Sequence, residues 1–217
     1  MERQVILTFD GVCISYGPKS VVENLSFTLR QGEVLAIIGE SGSGKTSLLK
    51  AILGLLEPEG NVTQGRIFYK DIPLLRISSP ERRHLLGKEI GCIFQDTADT
   101  LCPIRKIGTQ IYEMVKLYQK CKKNDVKEKA LALMKKIGLE DPLRIWESYP
   151  FELSGGMSQR VGIIMTLLLQ PTLLLADEPT SALDVLVQQD VLQQMKELKE
   201  AGQTMILVTH QMEVAEQ

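Results

Sequence analysis

Eight consecutive residues, Gly39-Glu40-Ser41-Gly42-Ser43-Gly44-Lys45-Thr46, constrain this chain more than any other stretch. They follow the apolar run Val34-Leu35-Ala36-Ile37-Ile38. They precede Ser47-Leu48-Leu49-Lys50-Ala51-Ile52-Leu53, where apolar residues recur at helical spacing. The order is strand, glycine loop, helix, and the loop fits the phosphate-cradling pattern G-x-x-x-x-G-K-[ST]. Glycines let successive backbone N–H groups turn inward into a concave anion site. The helix that follows aims the positive end of its dipole at the same point. Lys45 adds a mobile charge for outer phosphates, and the Thr46 hydroxyl suits Mg²⁺. A glycine turn with an incidental Lys-Thr would leave the flanking strand and helix unexplained. Both flanks favour a nucleotide-phosphate site.

A chain of 217 residues makes one large domain, or a core with an inserted subdomain. Its hydrophobic content of 44% is enough for a real core. Lys plus Arg is 25 against 27 for Asp plus Glu, a net charge of −2, so no global basic field points to nucleic acid as the main partner. The cysteines Cys13, Cys92, Cys102 and Cys121 are scattered without C-x-x-C spacing, as reduced thiols of a cytosolic chain would be. Met1-Glu2-Arg3-Gln4 leads into a short alternating segment unlike a signal peptide. Apolar runs such as residues 163–169 fall far short of the ~20 residues a membrane span needs. Any membrane role is expected to work through a partner.

Val5-Ile6-Leu7-Thr8-Phe9 reads as a strand, and Gly11 separates it from Val12-Cys13-Ile14-Ser15-Tyr16. Leu25-Ser26-Phe27-Thr28-Leu29 alternates as a half-buried strand does, and Gly65-Arg66-Ile67-Phe68-Tyr69 fits the same antiparallel layer. Tyr16, an aromatic beside a turn, suits either surface packing or a stacking platform for an adenine ring. Glu89-Ile90-Gly91-Cys92-Ile93-Phe94-Gln95 is a short strand closed by a glutamine, and His84 before it sits in a charged run that reads as a solvated helix face. Residues 96–150 change character: Ile107, Ile111, Met114, Val115 and Tyr118 recur at helical spacing, then Val126, Ala130, Leu133, Met134 and Ile137. This is a helical insert whose many lysines fit a solvated face. Trp146, Tyr149, Pro150 and Phe151 form a turn-rich return.

Ser154-Gly155-Gly156 before a helix is a second anion-ready N-terminus. The helix that follows, residues 161–169, is apolar nearly all round and is expected to be buried. Leu173-Leu174-Leu175-Ala176-Asp177-Glu178-Pro179 reads as a strand covered on both faces, as in a parallel sheet, ending in two carboxylates. Ligands in such sheets lie at the carboxyl ends of strands, which places Asp177 and Glu178 near the glycine loop. Asp177 is suited to Mg²⁺ and Glu178 to orienting and deprotonating a water; an acidic helix cap is the plainer alternative. Ser181-Ala182-Leu183-Asp184 leads into a helix with Val187, Val191, Met195 and Leu198 on one face, stopped by Gly202. Met205-Ile206-Leu207-Val208-Thr209 is another buried strand, and it ends in His210, well placed to meet a phosphate.

These motifs, in this order, resemble the nucleotide-binding subunit of ABC transporters over almost the whole chain. The resemblance rests on residues 39–46 as Walker A, Gln95 as the Q-loop and residues 153–159 as the signature. Residues 173–178 fit Walker B, residues 181–184 the D-loop, and His210 the switch histidine. It implies an α/β P-loop NTPase (RecA-like) core, residues about 1–95 and 161–217, with an antiparallel β subdomain and an inserted α-helical subdomain over about 96–160. It implies ATP and Mg²⁺. Tyr16 and residues Gly39, Glu40, Ser41, Gly42, Ser43, Gly44, Lys45, Thr46 and Ser47 would hold the nucleotide. Ser154, Gly155, Gly156 and Gln159 would complete the site in trans from a second, head-to-tail subunit. Thr46, Gln95 and Asp177 would serve the metal, and Glu178, His210 and Gln95 the hydrolysis.

A narrower resemblance points to the dipeptide, oligopeptide and nickel importer branch. It rests on Met157 in the signature, on Ile107-Gly108-Thr109-Gln110-Ile111, and on Asp184-Val185-Leu186-Val187-Gln188. Thr97-Ala98-Asp99-Thr100-Leu101-Cys102-Pro103 departs from that branch's usual pattern. The implied partners are integral membrane permease subunits, a second ATPase subunit and, indirectly, a solute-binding protein, at the cytoplasmic face of the membrane. The chain stops seven residues after His210, where the family continues, so a truncated C-terminus is expected. A soluble ABC ATPase of DNA repair or translation is the competing class. Such proteins carry long coiled-coil insertions or a second cassette, and residues 96–150 are too short for the first.

Overall fold

The computed structural model describes residues 3–40, 42–95, 100–180 and 185–210, with side chains in the last segment from residue 188. In chain order the strands are β1 (Val5–Tyr16), β2 (Lys19–Arg30), β3 (Val34–Ile38), β4 (Gly60–Tyr69), β5 (Ile72–Pro73), β6 (Ile90–Ile93), β7 (Leu173–Asp177) and β8 (Thr204–Thr209). The helices are α1 (Lys45–Leu53), α2 (Ser79–Leu85), α3 (Ile107–Tyr118), α4 (Lys123–Lys136), α5 (Pro142–Glu147), α6 (Gly155–Leu168) and α7 (Val185–Glu200).

The strands form two sheets of opposite character. One is antiparallel, in the order β2-β1-β4-β5. The other runs β3-β8-β7-β6, with every pair parallel. Burial follows the sequence pattern: β7 and β8, central and apolar but for Asp177 and the two terminal threonines of β8, are buried at every position, whereas β3 at the edge is only half-buried. The two short strands expected around Gly11 are one strand. β1 runs through Gly11 with a bulge that shifts its register on both neighbours.

Helix α1 lies between the sheets. Its Leu48, Leu49 and Ile52 share a core with Ile6, Ile14 and Ile67 of the antiparallel sheet and with Leu175 and Ile206 of the parallel one. The other face of the parallel sheet packs Leu174, Ala176 and Met205 against Ile163 of α6 and Val191 and Met195 of α7. Helices α3, α4 and α5 build their own core from Ile107, Ile111, Val126, Met134 and Trp146. They share it with Val161 and Ile164 of α6. Helix α6 therefore has one face in the helical layer and another on the parallel sheet. This is the physical reason it is apolar nearly all round.

A polar joint ties the antiparallel sheet to the parallel one. A Glu89 carboxylate oxygen accepts from the Tyr69 hydroxyl at 2.9 Å, from Lys70 Nζ at 2.9 Å and from Thr172 Oγ1 at 3.2 Å. The Lys70 contact, outweighing partial burial, holds the Glu89 carboxyl below its ordinary value. A carboxylate whose pKa falls on folding stabilises the protein above its unfolded pKa and loses that contribution as pH falls through the folded value. Glu89→Gln should therefore lower stability at pH 7 by about 1 kcal/mol or less, the pair being partly solvated. The gap to wild type should close below about pH 4. Denaturant melts of both proteins from pH 7 to pH 3 measure this; a gap that widens at low pH contradicts it.

Candidate functional site

Because β3, β6, β7 and β8 are parallel, their carboxyl ends lie along one margin of the sheet. The residues that follow them are the glycine loop after β3, Phe94-Gln95 after β6, Glu178 after β7 and His210 after β8. The topology thus gathers segments far apart in sequence. A cavity of about 420 Å³ opens there, and Tyr16, Gly44, Lys45, Thr46, Gln95 and Glu178 are among its lining.

The loop opens onto the N-terminus of α1, where Gly44 is the N-cap at φ 90°. A side chain at Gly44 would be strained by that φ, and its Cβ would stand 2.8 Å from the Val21 carbonyl oxygen. Lys45 is buried, and its Nζ donates to the carbonyls of Gly39 and Glu40 at 2.7 Å each. The ammonium thus bridges back over its own loop. Ser41 lies outside the described residues.

Thr46 and Asp177 meet although 131 positions apart: the Thr46 hydroxyl donates to Asp177 Oδ1 at 3.1 Å. Burial raises the Asp177 carboxyl above its ordinary value, opposed by that hydrogen bond and aggravated by neighbouring Glu178. A buried carboxylate destabilised in this way gains from a nearby cation. The oxygen donors here are a hydroxyl, a carboxylate and the amide of Gln95, which lines the same cavity as Thr46. All offer oxygen, the ligand set of a hard divalent ion that also takes phosphate and water oxygens.

Glu178 sits at φ 45°, an uncommon region for a residue with a side chain. Its backbone N–H donates to the Val208 carbonyl at 2.9 Å, which fixes the strained turn. Its Oε2 lies 3.3 Å from His210 Nδ1. The His210 side chain is 49% exposed and that of Glu178 18%, so the histidine stands at the rim and the carboxylate deeper in. Tyr16 reaches α1 through its hydroxyl, 3.2 Å from Ser47 Oγ.

The signature residues stand elsewhere. Ser154 caps α6, accepting from the Met157 N–H, and Ser154 and Gly155 are exposed. None of residues 154–156 lines the glycine-loop cavity of the same chain. Gln159 corrects the sequence reading, which made it a nucleotide contact. It is buried, and its Nε2 donates to the carbonyls of Phe94 at 3.0 Å and Pro179 at 3.3 Å. It is a strut joining the Gln95 and Glu178 segments. Its position one helical turn inside α6, between Ser158 and Arg160 and followed by an apolar run, is the signal for burial. Residues 181–184, read as the D-loop, lie outside the described residues, as do Thr97, Ala98 and Asp99.

Sequence reasoning missed four other residues of the cavity: Lys19, Val21, Lys50 and Glu57. Lys50 Nζ and Glu57 Oε1 are 2.5 Å apart, a contact that raises the Lys50 pKa. No motif marks this pair. Only the return of the chain after α1 brings it to the site.

A glycine cradle at a helix N-terminus, a buried lysine above it and a hydroxyl–carboxylate pair beside it define a P-loop nucleotide-binding protein. The family model for ABC transporters matches residues 22–181, and the chain belongs to that family. It is 40% identical over 210 residues to the dipeptide transport ATP-binding protein DppD of Escherichia coli, covering 94% of this chain and 64% of that protein. It is 37% identical over 195 residues to the metal-staphylopine import system ATP-binding protein CntD of Staphylococcus aureus, covering 89% and 72%. The chain thus spans less than two thirds of the DppD relative's length. Among solved structures, the ATP-binding cassette MJ0796 in a dimeric post-hydrolysis state with ADP and Pi superposes with a TM-score of 0.85 at 29% identity, covering 97% of this chain and 90% of that one.

Proposed function

We propose that this chain is the ATP-binding and ATP-hydrolysing subunit of an importer for peptides or metal chelates. The observation that carries this reading is the Thr46–Asp177 hydrogen bond beside the lysine-closed glycine loop, with Glu178 on the same cavity. The loop amides and Lys45 bind the phosphates, and Tyr16 stacks on the adenine ring. Thr46 and Asp177, with Gln95, would hold Mg²⁺, which would supply charge neutralisation on the phosphate oxygens. Glu178 takes a proton from the attacking water while the bond to the ADP oxygen breaks. His210, paired to Glu178, stands at the terminal phosphate.

The exposed Ser154-Gly155 N-terminus is the half-site offered to a second subunit, so the working form is a dimer. The dimeric MJ0796 structure supports this. The cargo reading rests on the names of relatives, dipeptide for DppD and metal-staphylopine for CntD. Among the described residues no helix is long and apolar enough to cross a membrane. Transport then needs integral membrane subunits, with this chain at their cytoplasmic face and a solute-binding protein beyond them.

These membrane subunits dock on the helical layer. A groove of about 890 Å³ there is lined by Cys102, Ile104, Met114, Leu117 and Met165 among others. Ile104 and Leu117 are 82% and 80% exposed, unusual for such side chains. Ile104→Lys with Leu117→Lys should weaken co-purification with the membrane subunits roughly tenfold or more. ATP affinity of the isolated chain should stay unchanged. Retained co-purification refutes this docking face. The function as a whole is tested by Mg²⁺-dependent phosphate release from ATP, and its absence in the assembled transporter overturns it.

A further inference from the structure

The sequence marks Tyr16 but says nothing of what holds its ring. Tyr16 ends β1, and its cross-strand partner on β4 is Gly60. A Cβ built at Gly60 would lie 2.7 Å from Tyr16 Cε1, 3.1 Å from Cζ and 3.2 Å from Cδ1. The ring therefore lies on the Gly60 α-carbon, in space that any other residue would fill. Glu57, Pro58 and Glu59 are exposed while Gly60 is buried, consistent with the ring as its cover. Gly60 has no left-handed φ. Its backbone would accept alanine, so the ring is the group that demands glycine here.

Four further contacts fix this turn, and two of them tie it and the ring to the phosphate-binding helix. The Gly17 N–H donates to the Glu59 carbonyl at 3.1 Å, and the Gly60 N–H to the Glu57 carbonyl at 2.7 Å. The Glu57 carboxylate pairs with Lys50 of α1 at 2.5 Å. The Tyr16 hydroxyl meets Ser47, in the first turn of α1. One face of the ring is thus backed by Gly60, its tip is anchored beside the phosphate loop, and the ring lines the cavity.

We propose that Gly60 is a positioning residue. By lacking a side chain, it lets the turn over residues 57–60 back the Tyr16 ring and fix its distance from the phosphate cradle before nucleotide arrives. The proposal rests on the reading of Tyr16 as the base platform. Preorganisation of this kind sets affinity for the base and leaves affinity for the phosphates untouched.

The test is equilibrium binding of ATP and of inorganic tripolyphosphate, which engages the loop but has no base, to the full chain. Gly60→Ala should weaken ATP about tenfold, the scale of one base–aromatic stack, and leave tripolyphosphate unchanged. In a Tyr16→Ala background, itself weakened for ATP, Gly60→Ala should have no further effect, the mark of two residues acting through one contact. Unchanged ATP binding in Gly60→Ala overturns the proposal, as do equal losses for both ligands or additive losses in the double variant. If Gly60→Ala fails to fold alone, the double variant, relieved of the clash, should fold; its failure also overturns the proposal. If Tyr16→Ala alone binds ATP as wild type does, the platform reading itself is wrong. That result is distinct from the Gly60 outcomes.

Discussion

Glu178→Gln should lower ATP turnover by about 10³-fold while nucleotide affinity stays within a few-fold of wild type. The substitution keeps the shape of the side chain, so the turn at φ 45°, fixed by the bond from the Glu178 N–H to the Val208 carbonyl, has no reason to change. What it removes is basicity. A glutamine amide still orients a water but does not accept its proton, so the loss falls on the chemical step and spares binding. His210, 3.3 Å from the carboxylate, loses a charged partner but sits at the exposed rim, where another base is poorly placed to substitute. A second effect is expected in association. In the proposed head-to-tail dimer Glu178 and Asp177 face the nucleotide phosphates, and deleting one negative charge relieves repulsion there. Glu178→Gln with ATP should elute as a stable dimer under conditions where wild type does not. Wild-type turnover in this variant would remove Glu178 from the role of base.

Much of this architecture is visible in the sequence because its signals are local. The alternation of residues 25–29, the unbroken apolar runs of β7 and β8, and the helical spacing in α3 and α4 each report burial of one element. Gly138 and Gly202 mark where helices α4 and α7 stop. Failures occur where burial is decided by a distant partner. Gly11 looks like a break between two strands, yet β1 runs through it, because pairing with β2 and β4 on both sides outweighs one bulge. The turn-rich return expected from Trp146 onwards overlaps the end of helix α5. Its Asp141 cap, accepting from the Arg144 N–H, and its buried Ile145 and Trp146 make it one short turn of the helical core.

The site divides in the same way. The glycine loop, Asp177, Glu178 and His210 were legible because each ends a strand of one parallel sheet, and strand order did not have to be known to place them. Lys50 with Glu57 and Gly60 behind Tyr16 were not legible. Their roles depend on how the chain returns from α1 to β4, and only coordinates give that. Gln159 shows the converse error. A motif position suggests contact with nucleotide, but a residue buried within a helix and bonded to two strand-end carbonyls spends its amide on architecture.

Lys45→Ala should weaken ATP binding on the order of 10²-fold, a loss in affinity where Glu178→Gln is a loss in rate. Lys45 is buried, and its ammonium donates to the Gly39 and Glu40 carbonyls at 2.7 Å each. Removing it costs twice. The phosphates lose their nearest mobile cation, and the loop loses the bridge that holds its Gly39 and Glu40 carbonyls. The amides and the α1 dipole remain, so binding should weaken without vanishing. Lys45→Arg separates the two losses. It keeps the charge, but its planar fork does not reproduce the compact three-donor geometry that reaches both carbonyls. Intermediate affinity in Lys45→Arg therefore assigns the difference to loop geometry and the rest to charge. Titration calorimetry with ATP reads both variants. A thermal melt gives a second measure, because a ligand at 100 times its Kd stabilises the fold by about 2.7 kcal/mol, and that ATP-dependent stabilisation should fall to about 0.4 kcal/mol in Lys45→Ala at the same concentration. Unchanged affinity in Lys45→Ala would mean that the glycine loop is not the phosphate site, since no other group in the described cavity is both buried and bonded into the loop as this ammonium is.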